Sequence, residues 1–264
     1  MQVKTSARSV TVTAACVLLS LTACTSSGGD SDKNASTGAS AGAGTGGSTA
    51  PGEAAGDGGS GNGGTGGDPS VPLTAPQLER AAIATGDLPK FQVSSERSPL
   101  APTGQPTADQ KKCQPLADAM GDEPNAQATR TVNRGLGSLE NLGLAVSVSV
   151  SSYRESDAER LMTGLGSALE ACRAGFSASL DDRAADYDGI RTTPFTVRGA
   201  DETVSWTAVA TNEGLRSPVH LVVVRKGATV ARFMAFDLAR RTPPRVPQQV
   251  ADKQLAKVAR ALAG

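Results

Sequence analysis

The side chains best suited to acid–base chemistry are one histidine and a short run of aspartates. His220 is the only His among 264 residues, and it begins an apolar run typical of a strand, which favours a strand-edge residue over a general base. Asp181, Asp182, Asp186 and Asp188 are close enough in sequence to bind Ca²⁺ or to act together as acid and base. Such a run without EF-hand spacing is more often a solvated loop. A cell-wall hydrolase would need His220 or the carboxylates from Asp181 to Asp188 to converge in a cleft.

The sequence offers no catalytic motif in a suitable structural context. Its GxSxG match, GASAG at residues 38–42, lies in the glycine-rich segment and not between a predicted strand and helix, as a nucleophile elbow requires. SxxK and HExxH segments are absent, and a single His excludes a His-rich metal site. The glycines between residues 25 and 70 do not indicate a phosphate-binding loop, because no predicted strand precedes them and no predicted helix follows. We therefore expect no catalytic residue, no metal site and no cofactor, and the chain is predicted not to be an enzyme.

Three further groups each have a functional and a structural interpretation. Trp206 could line a ligand pocket, but the sole Trp of a domain more often belongs to the core. Asp201 and Glu202 are typical of a polar turn between strands. Five basic residues could face anionic lipid or wall polymer, the alternative being charged hairpin tips and loop ends: Arg225, Lys226, Arg240, Arg241 and Arg245.

The overall charge argues against one class of partner. The chain has 26 Lys and Arg residues and 26 Asp and Glu residues. Nucleic-acid-binding proteins usually carry a basic patch or stripe, and no basic run is present here. We therefore expect no nucleic-acid partner.

A lipid anchor is predicted at Cys24. The apolar stretch Val10–Leu21 has 12 residues, which is too short to span a bilayer but typical of a signal peptide. The LTAC sequence at residues 21–24 resembles the lipobox of bacterial lipoproteins. That resemblance implies that residues 1–23 are removed and that Cys24 carries a diacylglyceryl lipid. The alternative is an ordinary secretory signal that leaves Cys24 free.

The rest of the chain divides into a tether and one domain. Residues 25–70 contain no Leu, Ile, Val, Met or aromatic side chain, so they cannot offset the entropy of ordering and are predicted to be disordered. With Cys24 they form an anchor and spacer over residues 24–70. Residues 71–264 are long enough for a single folded domain with its own core.

The two remaining cysteines predict a disulfide. Cys16 belongs to the predicted signal and Cys24 to the anchor, which leaves Cys113 and Cys172. An exported protein meets an oxidising environment, so these two are most simply one structural bridge. The alternative is a reactive pair, although the spacing is unlike that of CxxC motifs.

Apolar periodicity predicts an α+β fold. Leu144, Val146, Val148 and Val150 alternate with small polar residues, as in a strand covered on one side only. A helix capped by Ser156 or Asp157 follows, with a stripe at helical spacing: Leu161, Leu165, Ala168, Leu169, Cys172 and Phe176. Further strands are predicted at Thr192–Arg198, Thr203–Ala210, Val219–Arg225 and Thr229–Phe236, and helices at Ala75–Thr85 and near the C-terminus. The expected architecture is an antiparallel sheet with helices packed mainly on one face and one disulfide.

Several short segments resemble a known family. They are the lipobox, the low-complexity tether, CQPLA at residues 113–117, ALEAC at 168–172 and VVVRKGATVARF at 222–233. Together they are similar to actinobacterial lipoproteins with a PknH-like extracytoplasmic sensor domain. The resemblance implies an α+β domain over residues 71–264 that binds a ligand or signal outside the cell. This chain has one cysteine pair where the kinase sensor domains carry two disulfides, and no kinase domain. Only the structural pair Cys113 and Cys172 therefore corresponds.

These observations leave three functional hypotheses. The first is a non-catalytic lipoprotein that binds or senses a small molecule or envelope component. The second is an adaptor that binds another envelope protein, and the third is the cell-wall hydrolase. All three place the domain at the outer face of the bacterial cytoplasmic membrane, anchored through the lipid on Cys24 and exposed to the cell wall.

Overall fold

The computed structural model describes residues 68–95, 104–123, 127–181, 183–239 and 243–264. The predicted signal peptide, the lipidation site Cys24 and nearly all of the tether lie outside the described residues, as do Asp182, Arg240 and Arg241. No helix among the described residues is both long enough and apolar enough to cross a membrane.

The described residues form four α-helices, nine β-strands and a 3₁₀ turn at Lys111–Cys113. The helices are α1 (Ala75–Ala81), α2 (Gln114–Met120), α3 (Glu155–Ala171) and α4 (Gln248–Leu262). The strands are β1 (Phe91–Ser94), β2 (Thr107–Ala108), β3 (Arg130–Ser138), β4 (Leu144–Ser152), β5 (Phe176–Leu180), β6 (Arg183–Thr192), β7 (Glu202–Asn212), β8 (Leu215–Lys226) and β9 (Thr229–Asp237).

All nine strands belong to one antiparallel sheet, in the order β1-β3-β4-β9-β8-β7-β6-β5-β2. The long strands β4, β9, β8 and β7 lie at its centre. The predicted α+β class, the antiparallel sheet and the disulfide between Cys113 and Cys172 are confirmed.

The helices cover both faces of the sheet, whereas the sequence predicts cover mainly on one. Alternating residues of the central strands belong to two separate cores, since Val222 and Phe233 pack with one and Val223 and Met234 with the other. We call the side bearing α1 and α4 the packed face and the side bearing α2 and α3 the cavity face.

The packed face is a continuous apolar core. Its β4 contribution is Val146, Val148 and Val150, all fully buried. The buried side chain of Gln254 on α4 joins the helices, because it accepts a hydrogen bond from the Ile83 amide at 3.0 Å and donates one to the carbonyl oxygen of Ala81 at 2.6 Å. A buried polar side chain satisfied at both ends fixes the position of α4 against α1.

Several predicted elements differ in the structure. Phe176, predicted on the helical stripe, begins strand β5, and the helix predicted over Ala75–Thr85 ends at Ala81. The segment predicted as a strand at Thr192–Arg198 leaves the sheet after Thr192 and continues as an irregular connection. Asp186 and Asp188, predicted in a solvated loop, lie on β6 instead. Cross-strand pairing with β5 and β7 imposes an extended backbone on this acidic run, despite the low strand propensity of Asp.

Candidate functional site

A cavity of about 380 Å³ lies on the cavity face, between helices α2 and α3 and strands β4, β8 and β9. Its floor includes Ser149 and Ser151 from β4 and Arg232 from β9, and its walls include Pro115 from α2 and Leu165 from α3. The cavity therefore combines an apolar wall with a polar floor.

The serines of β4 reach the cavity because strand side chains alternate between faces. The valines point into the packed face, so Ser147, Ser149 and Ser151 must point to the other side, where all three are buried. The sequence predicts that this serine row is exposed on an uncovered face of the sheet. The prediction is wrong because α2 and α3 cover it, and what resembled a solvent-facing side is the floor of a cavity.

Arg232 is the charged group of the floor and is only 7% exposed. It pairs with Ser149 in register across β4 and β9 and donates to the Ser149 hydroxyl at 2.6 Å. It also donates to the Ser147 hydroxyl and to the Ala119 carbonyl oxygen, both at 3.3 Å. Burial lowers the pKa of Arg232 to about 10, against the effects of Asp122 and Tyr153, so the group remains charged at neutral pH.

Asp122 compensates the charge of Arg232 at the end of α2. Its side chain is buried, and its Oδ1 accepts a hydrogen bond from the Gly104 amide at 3.0 Å. The negative charge of Asp122 raises the pKa of Arg232. Ala119 lies in the last turn of α2, where carbonyl groups form the negative end of the helix dipole and favour a nearby cation.

Tyr153 and Asp118 occupy the neighbouring part of the cavity. Burial raises the pKa of Tyr153 to about 12, with a hydrogen bond to the Ser151 hydroxyl opposing and the Asp118 charge adding to the shift. Burial also raises the pKa of Asp118, while the amide of Gln114, which donates to its Oδ1 at 2.6 Å, lowers it. The tyrosine hydroxyl therefore stays protonated and can donate a hydrogen bond at any physiological pH.

Asp157 lies at the edge of the cavity within an ion-pair cluster. Arg154 Nε lies 2.6 Å from its Oδ2, and Arg160 pairs with its other oxygen. The hydrogen bond from Arg154 lowers the pKa of Asp157, and the Arg160 charge acts in the same direction. Asp157 was predicted as a helix cap, but Arg154 holds the cap position and Asp157 lies inside the first turn of α3.

The disulfide fixes the two helices that form the cavity walls. It joins Cys113, directly before α2, to Cys172, directly after α3, and both residues are buried. Gly164 of α3 faces the wall of α2, since a Cβ added there would meet Pro115 Cγ at 3.8 Å. The covalent link therefore holds the end of α3 against the start of α2.

His220 is buried on the packed face, away from the cavity, and both of its ring nitrogens have partners. The Val246 amide donates to Nδ1 at 2.9 Å, and Nε2 lies 3.0 Å from the Ser205 hydroxyl and 3.2 Å from the Thr193 hydroxyl. Since Nδ1 accepts, Nε2 carries the proton in the neutral ring and donates it. Burial, assisted by the charge of Arg245, lowers the pKa of His220 to about 4. The histidine therefore joins β8 to the segment before α4.

The acidic run does not converge with His220. On β6, Asp186 accepts a hydrogen bond from the Ser177 hydroxyl at 2.5 Å, and Asp188 pairs with Arg216 at 3.2 Å. Asp181 adopts a left-handed backbone in the turn before β6. Nowhere in the described ranges do three or more His, Cys, Asp or Glu side chains form a group that could hold a metal ion.

The other sequence candidates have structural positions. Trp206 is fully buried in the core of the cavity face, as predicted, but does not line the cavity. Asp201 accepts hydrogen bonds from the Gly227 amide at 2.7 Å and Lys226 Nζ at 2.9 Å, and Arg225 Nε donates to Glu202 at 2.6 Å. These four charged residues therefore stabilise the turn between β8 and β9, while Arg245 is exposed before α4.

The sequence analysis did not identify the cavity residues, because a strand pattern does not show which side chains become buried. Arg232 lies in the segment ATVARF, where a single charged residue among apolar ones is typical of a strand edge. The alternation of β9 places Arg232 on the same side as Met234 and opposite Phe233, which gave a signal for its face but not for its burial.

Comparisons with known proteins gave weak structural similarities, including two to mycobacterial proteins. No protein-family model matches the chain, and no curated protein matches it. The extracellular domain of PknH from Mycobacterium tuberculosis is 12% identical, with a TM-score of 0.47 over 73% of this chain and 98% of that one. An uncharacterized protein from Mycobacterium smegmatis, an Rv0999 ortholog, is 13% identical, with a TM-score of 0.35 over 75% of this chain and 98% of that one. Neither similarity assigns a function to this chain.

Proposed function

We propose that this chain is a cell-surface lipoprotein, anchored through Cys24, whose domain at residues 71–264 binds a small ligand in the cavity without catalysing a reaction. The observation that carries the proposal is the cavity itself. Its volume of about 380 Å³ falls within the range of small-molecule sites. Its floor holds a buried arginine and a row of buried hydroxyl groups. Burying such polar groups costs free energy unless they form hydrogen bonds, and here they are held by bonds to one another.

The positions of the catalytic candidates support a binding function over a hydrolase. His220 lies on the opposite face of the sheet and uses both ring nitrogens in structural hydrogen bonds. Asp186 and Asp188 lie on β6 and do not line the cavity. The groups that do line it, such as Arg232 and Ser149, are bonded to each other.

The disulfide supports an extracytoplasmic location. Bridges such as Cys113–Cys172 form and persist in oxidising compartments and are rare in the cytosol. The lipid on Cys24 remains a prediction from the LTAC sequence. Mass spectrometry of the N-terminal peptide tests it, since a diacylglyceryl group on Cys24 would be lost in a Cys24→Ala variant.

A patch of exposed leucines favours the adaptor as a second candidate. Leu139, Leu142 and Leu238 are 57%, 71% and 59% exposed. They lie at one end of the sheet, where the Leu238 amide donates to the Gly143 carbonyl oxygen at 2.8 Å. The patch is small compared with a stable protein interface, so we rank the adaptor second.

Native mass spectrometry of two glycine variants tests the binding proposal. In Gly164→Leu the new side chain extends from α3 toward Pro115 and narrows the cavity. Gly166→Leu is the matched control, because a Cβ at Gly166 meets nothing within 4 Å and the residue does not line the cavity.

The full chain is purified from an exporting host and weighed under native and denaturing conditions. We expect an extra mass that is present only in the native spectra of the wild type and Gly166→Leu. A ligand retained equally by Gly164→Leu would place binding elsewhere. A wild type without extra mass, even after incubation with envelope extract, would contradict the binding function and shift the weight to the adaptor.

A further inference from the structure

Two charged groups of the cavity, Arg232 and Asp157, are already compensated within the described part of the chain. Arg232 has the charge of Asp122 beside it and three hydrogen-bond acceptors. Asp157 is held by Arg154 and Arg160. An acidic ligand group that approached Arg232 would therefore meet the like charge of Asp122, and like charges in a desolvated site are strongly unfavourable.

The polar groups that remain suited to a ligand are hydroxyls and one carboxylate. The Ser149 oxygen accepts from Arg232, which leaves its proton to donate. The Tyr153 hydroxyl, which is hydrogen-bonded to Ser151, also lines the cavity, and a phenol group can both donate and accept. Gln114 occupies one acceptor position of Asp118, and a carboxylate has about four. A row of donors next to acceptors matches ligand hydroxyl groups, because each hydroxyl both donates and accepts.

The walls opposite this row are apolar. Pro115 of α2 and Leu161 and Leu165 of α3 supply them, while Val223 and Val230 lie on the sheet beside Arg232. Apolar walls with a few fixed polar groups bind a molecule that has a carbon face and a polar edge. A sugar ring has this division between its C–H face and its hydroxyls, whereas an extended peptide would more often pair with an open sheet edge.

We propose that the cavity selects a hydroxyl-rich ligand of one or two sugar rings and discriminates against acidic sugars of the same shape. This inference rests on the proposed binding function and adds the ligand class to it. The sugar is either free or the end of a wall glycan, and both present the same chemistry to the site.

Saturation-transfer NMR of the full chain with matched sugars tests the ligand class. The panel holds glucose, galactose and mannose, each with its uronate and its 2-amino counterpart, together with their methyl glycosides and a capped Ala-Ser dipeptide. We expect at least one neutral hexose to bind at least about tenfold more tightly than its uronate. This binding should be lost in Gly164→Leu and kept in Gly166→Leu. Equal binding of the methyl glycoside indicates a glycan end, and binding of the reducing sugar alone indicates a free sugar.

Other outcomes separate the two proposals. Tighter binding of a uronate or of the dipeptide overturns the ligand class and leaves the binding function standing. The same holds if no panel member binds but native mass spectrometry finds a ligand that depends on Gly164. Absence of any ligand in both experiments overturns both proposals.

A variant that removes the charge of Asp122 tests whether this carboxylate excludes acidic ligands from Arg232. Asp122→Asn keeps an oxygen to accept from the Gly104 amide but removes the charge beside Arg232. We expect the preference to reverse, with the uronate binding more tightly than the neutral hexose. Asp188→Asn, an exposed carboxylate paired with Arg216, is the control and should leave the preference unchanged. If folded Asp122→Asn still binds the neutral hexose more tightly than the uronate, the charge of Asp122 does not determine the selectivity.

Discussion

The two faces of the sheet use the same strands for opposite purposes. On the packed face, Val148 and Phe233 are fully buried against α1 and α4 in a continuous apolar core. One residue along, on the cavity face, Ser149 and Arg232 are also buried but line an open volume beneath α2 and α3. Burial alone therefore does not distinguish a core from a site, and the pairing of the buried polar groups has to be considered as well.

Polar groups on the packed face link neighbouring elements of the fold through hydrogen bonds. Arg134 donates to the Ile83 carbonyl oxygen at 3.0 Å and pairs with Glu79 of α1. Gln254 and His220 hold α4 and the segment before it. On the cavity face, by contrast, the buried hydroxyls and Arg232 bond to one another around an opening. The hydrogen bonds on the packed face hold the helices in place and so define the fold. The preorganised polar groups on the cavity face are suited to binding a ligand.

The largest expected difference between the two faces is in the stability lost when a buried side chain is truncated to Ala. Phe233→Ala should destabilise the domain by about 3–5 kcal/mol, because it leaves a cavity in a close-packed core. Ser149→Ala should cost only about 1 kcal/mol, because water entering the cavity can replace its bond to Arg232. Urea denaturation of both variants measures the difference. Equal losses of stability would mean that the cavity face is packed as tightly as the other.

Removal of the disulfide should destabilise the cavity face by a similar amount. The bridge spans a sequence separation of 59 residues, and the chain-entropy model assigns a loop of this length about 4 kcal/mol. We expect Cys113→Ala/Cys172→Ala to lose this stability in urea and to bind the cavity ligand more weakly, since α2 and α3 are no longer linked. Loss of stability with unchanged ligand affinity would show that helix packing alone maintains the cavity.

Acid should weaken the packed face through His220. Its pKa is about 6.5 in an unfolded chain and about 4 in the fold, so only the unfolded state binds a proton between these values. Stability is therefore complete above pH 6.5 and falls as the pH decreases toward 4, by as much as about 3 kcal/mol. As the chain has one His, its ring protons give the pKa directly in an NMR titration. A pKa near 6.5 for His220 in the folded protein would contradict the conclusion that its ring is buried and neutral.

The elements with strong periodicity could be predicted from sequence. The alternation around Val146 and Val148 gave β4, the stripe through Leu165 and Leu169 gave α3, and elimination among the cysteines gave the disulfide. Elements held by partners could not be predicted. The acidic β6 owes its extended backbone to neighbouring strands, and the segment after Thr192 leaves the sheet despite its strand-like composition.

The sequence by itself determined the antiparallel α+β class, the paired cysteines and the identity of the two sets of side chains on β4, because these follow from local spacing and composition. Tertiary structure alone decided that the serine set is buried and that Arg232 faces Ser149 and Asp122. The period of a strand assigns residues to a face but carries no information about what covers that face. Only the packing of α2 and α3 turned a polar side of the sheet into a cavity.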